Sequence, residues 1–312
     1  MGVLVALITL AACGSADQLA EPIGRFQTAT LQLSSVTREY MTGINQVERR
    51  YNFMEALIDP TIRIEDTYRE PDNGDDGDTN DEVAGGRRFL LGEFSEEEIS
   101  ARMQMLEAIN AYVSKLAKIA GSDASSRLTT NVSSAAENIR SLIQNATGND
   151  NARVKEYVGA LSALVSFLGT EIIEAERREI LTSAIDEGGP AVTEILNLLE
   201  SDLTYAFGSR RSAIQITYNN LRLDYNEHAA HMNFSERRER LAQLEELANS
   251  LEQIESINPV PTIVAMRRTH GTLLRVAEDL GNIEDADDFF EALELYATRA
   301  ELLFSAFSAI ER

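Results

Sequence analysis

The chain has 312 residues, 44% of them hydrophobic, enough for a sizeable core arranged as one elongated domain or two compact ones. Against 28 Lys and Arg stand 51 Asp and Glu, and the formal charge of −23 repels phosphate backbones and anionic lipid surfaces, which excludes nucleic acid as a partner. Tryptophan is absent, and only six prolines and eighteen glycines interrupt the chain, so most of it is free to run as helix; the single cysteine, Cys13, allows no intrachain disulfide.

The first element is an apolar run from Gly2 to Leu10, of the length of a signal-peptide h-region and too short to span a bilayer. It leads into Leu10-Ala11-Ala12-Cys13-Gly14. This stretch resembles the lipobox of bacterial lipoprotein precursors, with Leu10 at the hydrophobic position, Ala11 and Ala12 at the small ones and Cys13 at the lipidated one. One departure is that no Lys or Arg precedes the apolar run. The resemblance implies that 1–12 is a signal peptide, that Cys13 is acylated and becomes the first mature residue, and that the chain is held on a bilayer of the cell envelope. Gly14 is not the aspartate that the family associates with inner-membrane retention, which implies the outer membrane, facing the periplasm, if the cell is Gram-negative. Residues 13–24 then read as a polar tether and 25–312 as the body.

The fold class expected for that body is all-α: an elongated, coiled-coil-like bundle of about eight helices. From Phe26 onward, Leu33, Val36, Tyr40, Ile44, Val47, Tyr51, Met54 and Ile58 recur in steps of three and four, one buried stripe of a long helix. Asp59-Pro60 ends it. A non-periodic stretch near 60–94 follows and reads as an acidic disordered loop. Within it, Asp72 to Glu82 is dense in carboxylates with no base, and the EF-hand template fails there, because Gly74 and Val83 fall where ligands are needed.

Ser95-Glu96-Glu97-Glu98 reads as a capping box opening a helix striped by Ile99, Met103, Leu106, Ile109, Val113, Leu116 and Ala120, with Gly121 as its left-handed stop. A short link leads to another helix carrying Leu128, Val132, Ala135, Ile139, Leu142 and Ala146. The centre of the expected fold is a long helical hairpin. Its first arm holds Val154, Tyr157, Leu161, Leu164, Leu168, Ile172 and Ala175; its second, Ile195, Leu199, Leu203, Ala206, Ala213, Leu221 and His228; and Glu187-Gly188-Gly189-Pro190 is read as the turn between them. Three helices complete the chain. One begins at Ser235, with Leu241, Leu244, Ala248, Leu251 and Ile254 facing inward and Glu236 paired to Arg240 outside. The next opens at Pro261 and places His270 on its apolar stripe. The last is headed by Glu284, Asp285, Asp287 and Asp288 and carries Phe289, Leu293, Tyr296, Ala300, Leu303, Phe307 and Ile310. The simplest assembly lays the first three helices on one part of the hairpin and the last three on another.

Motifs that carry chemistry are few. No phosphate-cradling glycine loop, Walker lysine or nucleophile elbow occurs. Asp224, Glu227, His228 and His231 are grouped within two helical turns and have metal-ligand spacing, but no second helix offers a matching histidine, and a polar helix terminus is the plainer reading. The chain is therefore read as no enzyme, with neither catalytic, cofactor nor metal residues, and with Cys13 as its only assigned site. The expected function is a membrane-tethered helical scaffold or adaptor lipoprotein, its partners being the bilayer through acylated Cys13 and an envelope protein. The alternatives are a helical membrane-inserting or pore-forming protein, for which Val158 to Gly169 is the best but too short a segment, and a metal-dependent helical enzyme.

Overall fold

The computed structural model describes residues 19–58, 61, 63–64, 86–87, 94, 96–121, 158, 161–162, 164–165, 167–168, 177–279 and 282–310. Over these the chain is predominantly α-helical, as the three-four spacing requires. Cys13, the acidic run Asp72 to Glu82 and the helix expected over 122–148 lie outside the described residues. Six helices have bounds there: α1 (Ala20–Ile58), α2 (Glu96–Ala120), α3 (Arg177–His228), α4 (Phe234–Ser256), α5 (Val260–Glu278) and α6 (Ile283–Ile310). A two-residue parallel pair, β1 (Arg63–Ile64) with β2 (Gly86–Arg87), lies inside the stretch expected to be loop and joins its two ends, with Arg63 opposite Gly86.

The stripes of α1 and α2 are buried as spaced. Leu33, Val36, Tyr40, Ile44, Val47 and Met54 face inward on α1, and all seven stripe residues from Ile99 to Ala120 do so on α2. Each such large side chain removed from water contributes roughly 1.5–3 kcal/mol. Helix α1 starts earlier than the expected tether allows. Leu19 and Ile23 continue the buried row upstream, and Pro22, in the first turn, lacks an N–H that would have had no intrahelical acceptor there. Buried Thr30 and Thr37 are tolerated because their hydroxyls donate to Phe26 O and Leu33 O, each at 2.8 Å. At the end of α2, Gly121 takes φ 84° and donates its N–H to Lys118 O at 3.2 Å, the left-handed stop.

The expected turn at Glu187-Gly188-Gly189-Pro190 does not exist. Helix α3 runs unbroken for 52 residues through Pro190, so the expected hairpin does not turn there, and among the described residues six helices have bounds, not about eight. The glycines have another purpose. A Cβ on Gly188 would stand 2.7 and 2.8 Å from ring carbons of Tyr112 and 3.1 Å from Phe167, and one on Gly189 would collide with the Leu274 side chain. Both glycines are buried and let neighbouring side chains reach the helix backbone, while Pro190 is exposed. Its missing N–H leaves the Asp186 carbonyl on the outer side of the helix, where water can take the bond. Of the first arm, Leu161, Leu164 and Leu168 are helical and buried; Val154, Tyr157, Ile172 and Ala175 lie outside the described residues.

The chain forms two compact units. The first takes described residues from Met1–Leu31, Glu107–Leu196 and Ala265–Arg299, the second from Gln32–Leu106, Asn197–Val264 and Ala300–Arg312. The expected division into early and late helices is therefore corrected, since each unit draws on both ends of the chain. In the first unit Phe26 packs edge-on to Tyr296, whose hydroxyl donates to Thr30 Oγ1 at 3.2 Å; burial pushes the Tyr296 phenol up. Thr269 Oγ1 lies 3.0 Å from Ala265 O and 2.9 Å from Ala292 O, linking α5 to α6, and Arg275 reaches Asp288 at 2.9 Å. In the second unit Gly43 of α1 faces Ile257, just past α4, and Arg211 of α3 bonds Glu255 of α4 at 2.7 Å.

Helix α4 shows how packing overrides a pattern. Gln243, Leu247, Ser250 and Ile254 are its buried residues, whereas Leu241 and Ala248 are exposed, so the inward face is displaced by one residue from the expected row. Apolar residues cover a wide arc of this helix, and neighbours rather than spacing choose the part that is covered. Its cap also differs. Asn233, not Ser235, holds the N-terminus: its side chain accepts from Glu236 N at 3.0 Å while Glu236 Oε2 accepts from Asn233 N at 2.7 Å. Glu236 is thus committed to the cap, and Arg240 turns to Asp224 at 3.7 Å instead of pairing with it.

Candidate functional site

Three groups of polar side chains were built upward from their elements. In the first unit, Tyr112 and Lys115 of α2, Thr193 of α3 and His270 of α5 converge around Phe167 and the bare backbone at Gly188. The His270 ring is edge-on to Tyr112 with centroids 5.7 Å apart, and Tyr112 stands 5.7 Å from Phe167. Thr193 Oγ1 lies 3.3 Å from His270 Nδ1 and 3.0 Å from Gly189 O. One arrangement satisfies both contacts: the threonine donates to the carbonyl and Nδ1–H donates to the threonine. His270 Nε2 and the Tyr112 hydroxyl then have no partner among the described residues. Burial lowers His270 to about 4, so it is neutral at physiological pH, and it pushes the Tyr112 phenol up, with nearby Asp186 adding to the shift. Lys115 Nζ donates to Phe167 O at 2.6 Å and lies 4.1 Å above that ring; desolvation lowers its pKa and Glu187 opposes the change.

Tyr112 and Lys115 were absent from the expected site residues, although Tyr112 stands three after Ile109 and four before Leu116. That second row of α2 was the available signal. Tyr112, His270 and Lys115 are all buried.

In the second unit, Arg102 of α2 is fully buried on the apolar stripe, three after Ile99 and four before Leu106. It donates to Asp202 Oδ2 at 2.9 Å and to Glu98 O at 2.9 Å, and its guanidinium lies 4.7 Å over the Phe94 ring. Phe94 is pinned in turn by the Asn45 amide, which donates to Phe94 O at 2.9 Å and accepts from Phe94 N at 3.0 Å. Arg210 pairs with Glu48 of α1 and lies 5.5 Å over Tyr51, whose hydroxyl accepts from Thr217 at 3.2 Å. Desolvation brings Arg210 down to about 10, which leaves it charged at neutral pH. Truncating Arg102 to leucine should cost about 3–5 kcal/mol in urea unfolding, because the largely buried Asp202 carboxylate loses its guanidinium partner at 2.9 Å; the double variant with Asp202→Leu should regain much of the loss.

The Asp224 group sits at the turn between α3 and α4. Asp224 Oδ1 is 3.2 Å from His228 Nδ1 and its other oxygen 3.7 Å from Arg240, so its two oxygens face the imidazole and the guanidinium. No group of three or more His, Cys, Asp or Glu that could hold a metal ion exists among the described residues. No helix among the described residues is long and apolar enough to cross a membrane. Searches against known protein families, curated proteins and solved structures find no match to this chain.

Proposed function

We propose that the protein is a membrane-tethered helical scaffold or adaptor lipoprotein of the bacterial cell envelope, held by acyl chains on Cys13 and binding another envelope protein through its helix faces. The observation that carries this reading is the lipobox-like Leu10-Ala11-Ala12-Cys13-Gly14, set directly after an apolar run of h-region length. Two acyl chains supply enough buried methylenes for stable anchoring, so no spanning helix is needed. The formal charge of −23 supports a body that stands off an anionic lipid surface and a partner that is not nucleic acid. The buried polar groups of both units have the character of internal fasteners, which favours a structural role over catalysis. An elongated, coiled-coil-like bundle belongs to the same reading, and small-angle scattering from the soluble body tests it.

Replacing Cys13 with serine is expected to leave the precursor unlipidated and to move the protein out of the membrane fraction; unchanged fractionation would refute the anchor. Crosslinking in the native cell, followed by identification of what is captured, tests the adaptor role. A chain that captures no envelope protein at any surface position ends it.

A further inference from the structure

The joint Gly188-Gly189-Pro190 is helical although its residues are the poorest helix formers, in the order of a helix stop followed by a first helical position. The bonds that tie 177–187 to the rest of α3 run from the N–H groups of positions 188–191 to carbonyls four residues back. Pro190 has no N–H to give, and the two glycines are the residues that lose most backbone freedom on being ordered. What keeps the joint straight is therefore tertiary: Tyr112 and Phe167 pressed on Gly188, and Leu274 on Gly189. Local preference and packing ask for different conformations at one place, the kind of conflict that marks a functional or strained segment.

The same joint lies beside the least satisfied polar groups of the first unit. Tyr112 and His270 are 0% and 1% exposed, and the Tyr112 hydroxyl and His270 Nε2 have no partner among the described residues. Lys115 holds a buried amine near them. Asp186 and Glu187, the last residues before the joint, bear electrostatically on Tyr112 and Lys115. Upstream, the short block 177–187 is held by a buried row of Leu181, Ala184 and Ile185. Polar groups that regain water offset part of the loss of that row, so opening here is easier than parting an all-apolar seam of the same size.

We propose that 177–187 is a helical lid, hinged at Gly188-Gly189-Pro190, which opens to uncover Tyr112, Lys115 and His270 while α3 from Ala191 onward stays folded. In the open form the glycines take the turn that their sequence favours. Pro190 then becomes the first residue of the shortened helix, where its missing N–H has no consequence. Thr193 lies beyond the hinge and keeps its contact with His270 Nδ1, so Nε2 is the ring nitrogen left to present. The uncovered surface offers a phenol, an amine and an imidazole together. The device uses only residues of the first unit and does not depend on the anchor at Cys13.

Hydrogen exchange of the full chain carrying Cys13→Ser, read by mass spectrometry, should show positions 181–187 exchanging together, at least about a hundredfold faster than 195–206 of the same helix. In Pro190→Ala the block should slow by at least about tenfold, because the closed helix gains a bond that the open form does not use. Acylation of Lys115 by an amine reagent should slow by a similar factor in that variant, with exposed Lys118 of the same helix as the unchanged reference. Fraying from Arg177 alone gives protection that rises residue by residue and is indifferent to position 190. Graded exchange over 181–187, exchange there that does not respond to Pro190→Ala, or equal labelling of Lys115 in the two proteins would overturn the proposal.

Discussion

Replacing Pro190 with alanine should stabilise the protein by about 2–3 kcal/mol, measured as a rise in the urea midpoint at constant slope. The expectation follows from α3 running through Pro190 without a break. A proline in a helix interior forfeits the bond from its own nitrogen to the carbonyl four residues back, here Asp186, and crowds that carbonyl. Alanine restores the donor and adds no bulk on a position that faces solvent. At the first position of a new helix, as the glycine pair before it suggests, the same change would be nearly neutral, so a midpoint that does not move would favour a turn and sink the continuous helix. The two glycines sharpen the test by responding oppositely. Gly188→Ala gains about 1 kcal/mol of helix propensity but drives a methyl into the Tyr112 and Phe167 rings at 2.7–3.1 Å, and the overpacking cost of about 1–3 kcal/mol should win. Gly189→Ala meets only the end of the half-buried Leu274 side chain, which can swing aside, and should be neutral or slightly stabilising.

Lowering the pH from 7 to 4 should remove about 3 kcal/mol of stability through His270 alone. Its folded-state value is about 4 against 6.5 for the unfolded imidazole, a gap of about 2.5 units at roughly 1.4 kcal/mol each. The sign follows from which state binds the proton. Below pH 6.5 the unfolded chain takes up a proton that the folded chain refuses, so stability falls with pH until about 4, where the folded state protonates too. Well above 6.5, where neither state binds the proton, this residue makes no contribution to the slope. Among the described residues no counter-charge is in contact with it: His270 Nδ1 faces the Thr193 hydroxyl, its ring faces Tyr112, and Nε2 has no partner. Urea unfolding of His270→Phe, which keeps an aromatic ring against Tyr112, should show a pH dependence between 7 and 4 that is flatter than the wild type by about that amount. Equal slopes in the two proteins would mean that His270 is not a buried neutral group.

Much of the fold is legible in the residues themselves, and the failures have a common cause. Spacing at three and four found the inward faces of α1 and α2 and placed His270 on a buried row, because a helix seals its own backbone and only needs one side covered. Gly121 stopped α2 where expected, since a left-handed residue must follow the last turn and glycine takes that conformation without strain. Glycine is ambiguous elsewhere. Gly188-Gly189-Pro190 has the composition of a turn, and only the rings of Tyr112 and Phe167 pressed on the backbone reveal it as a contact point inside a helix. Arg102 and Arg210 stand at apolar positions of their rows, a visible irregularity, but the carboxylates that complete them, Asp202 and Glu48, are 100 and 162 positions away along the chain. Helix α4 marks the same boundary: two of its four buried residues, Gln243 and Ser250, are polar, and no apolar periodicity points to them.

By itself, then, the sequence determined the helical class and the rows facing inward on α1 and α2, both of which depend on neighbours within a few residues. Tertiary structure decided what depends on distant ones: that α3 is a single rod, that each unit is assembled from both ends of the chain, and which polar groups are sealed inside. The physical reason is that a helix rewards local order bond by bond, whereas the pairing of one helix with another is chosen by shape and charge that no short stretch of chain contains.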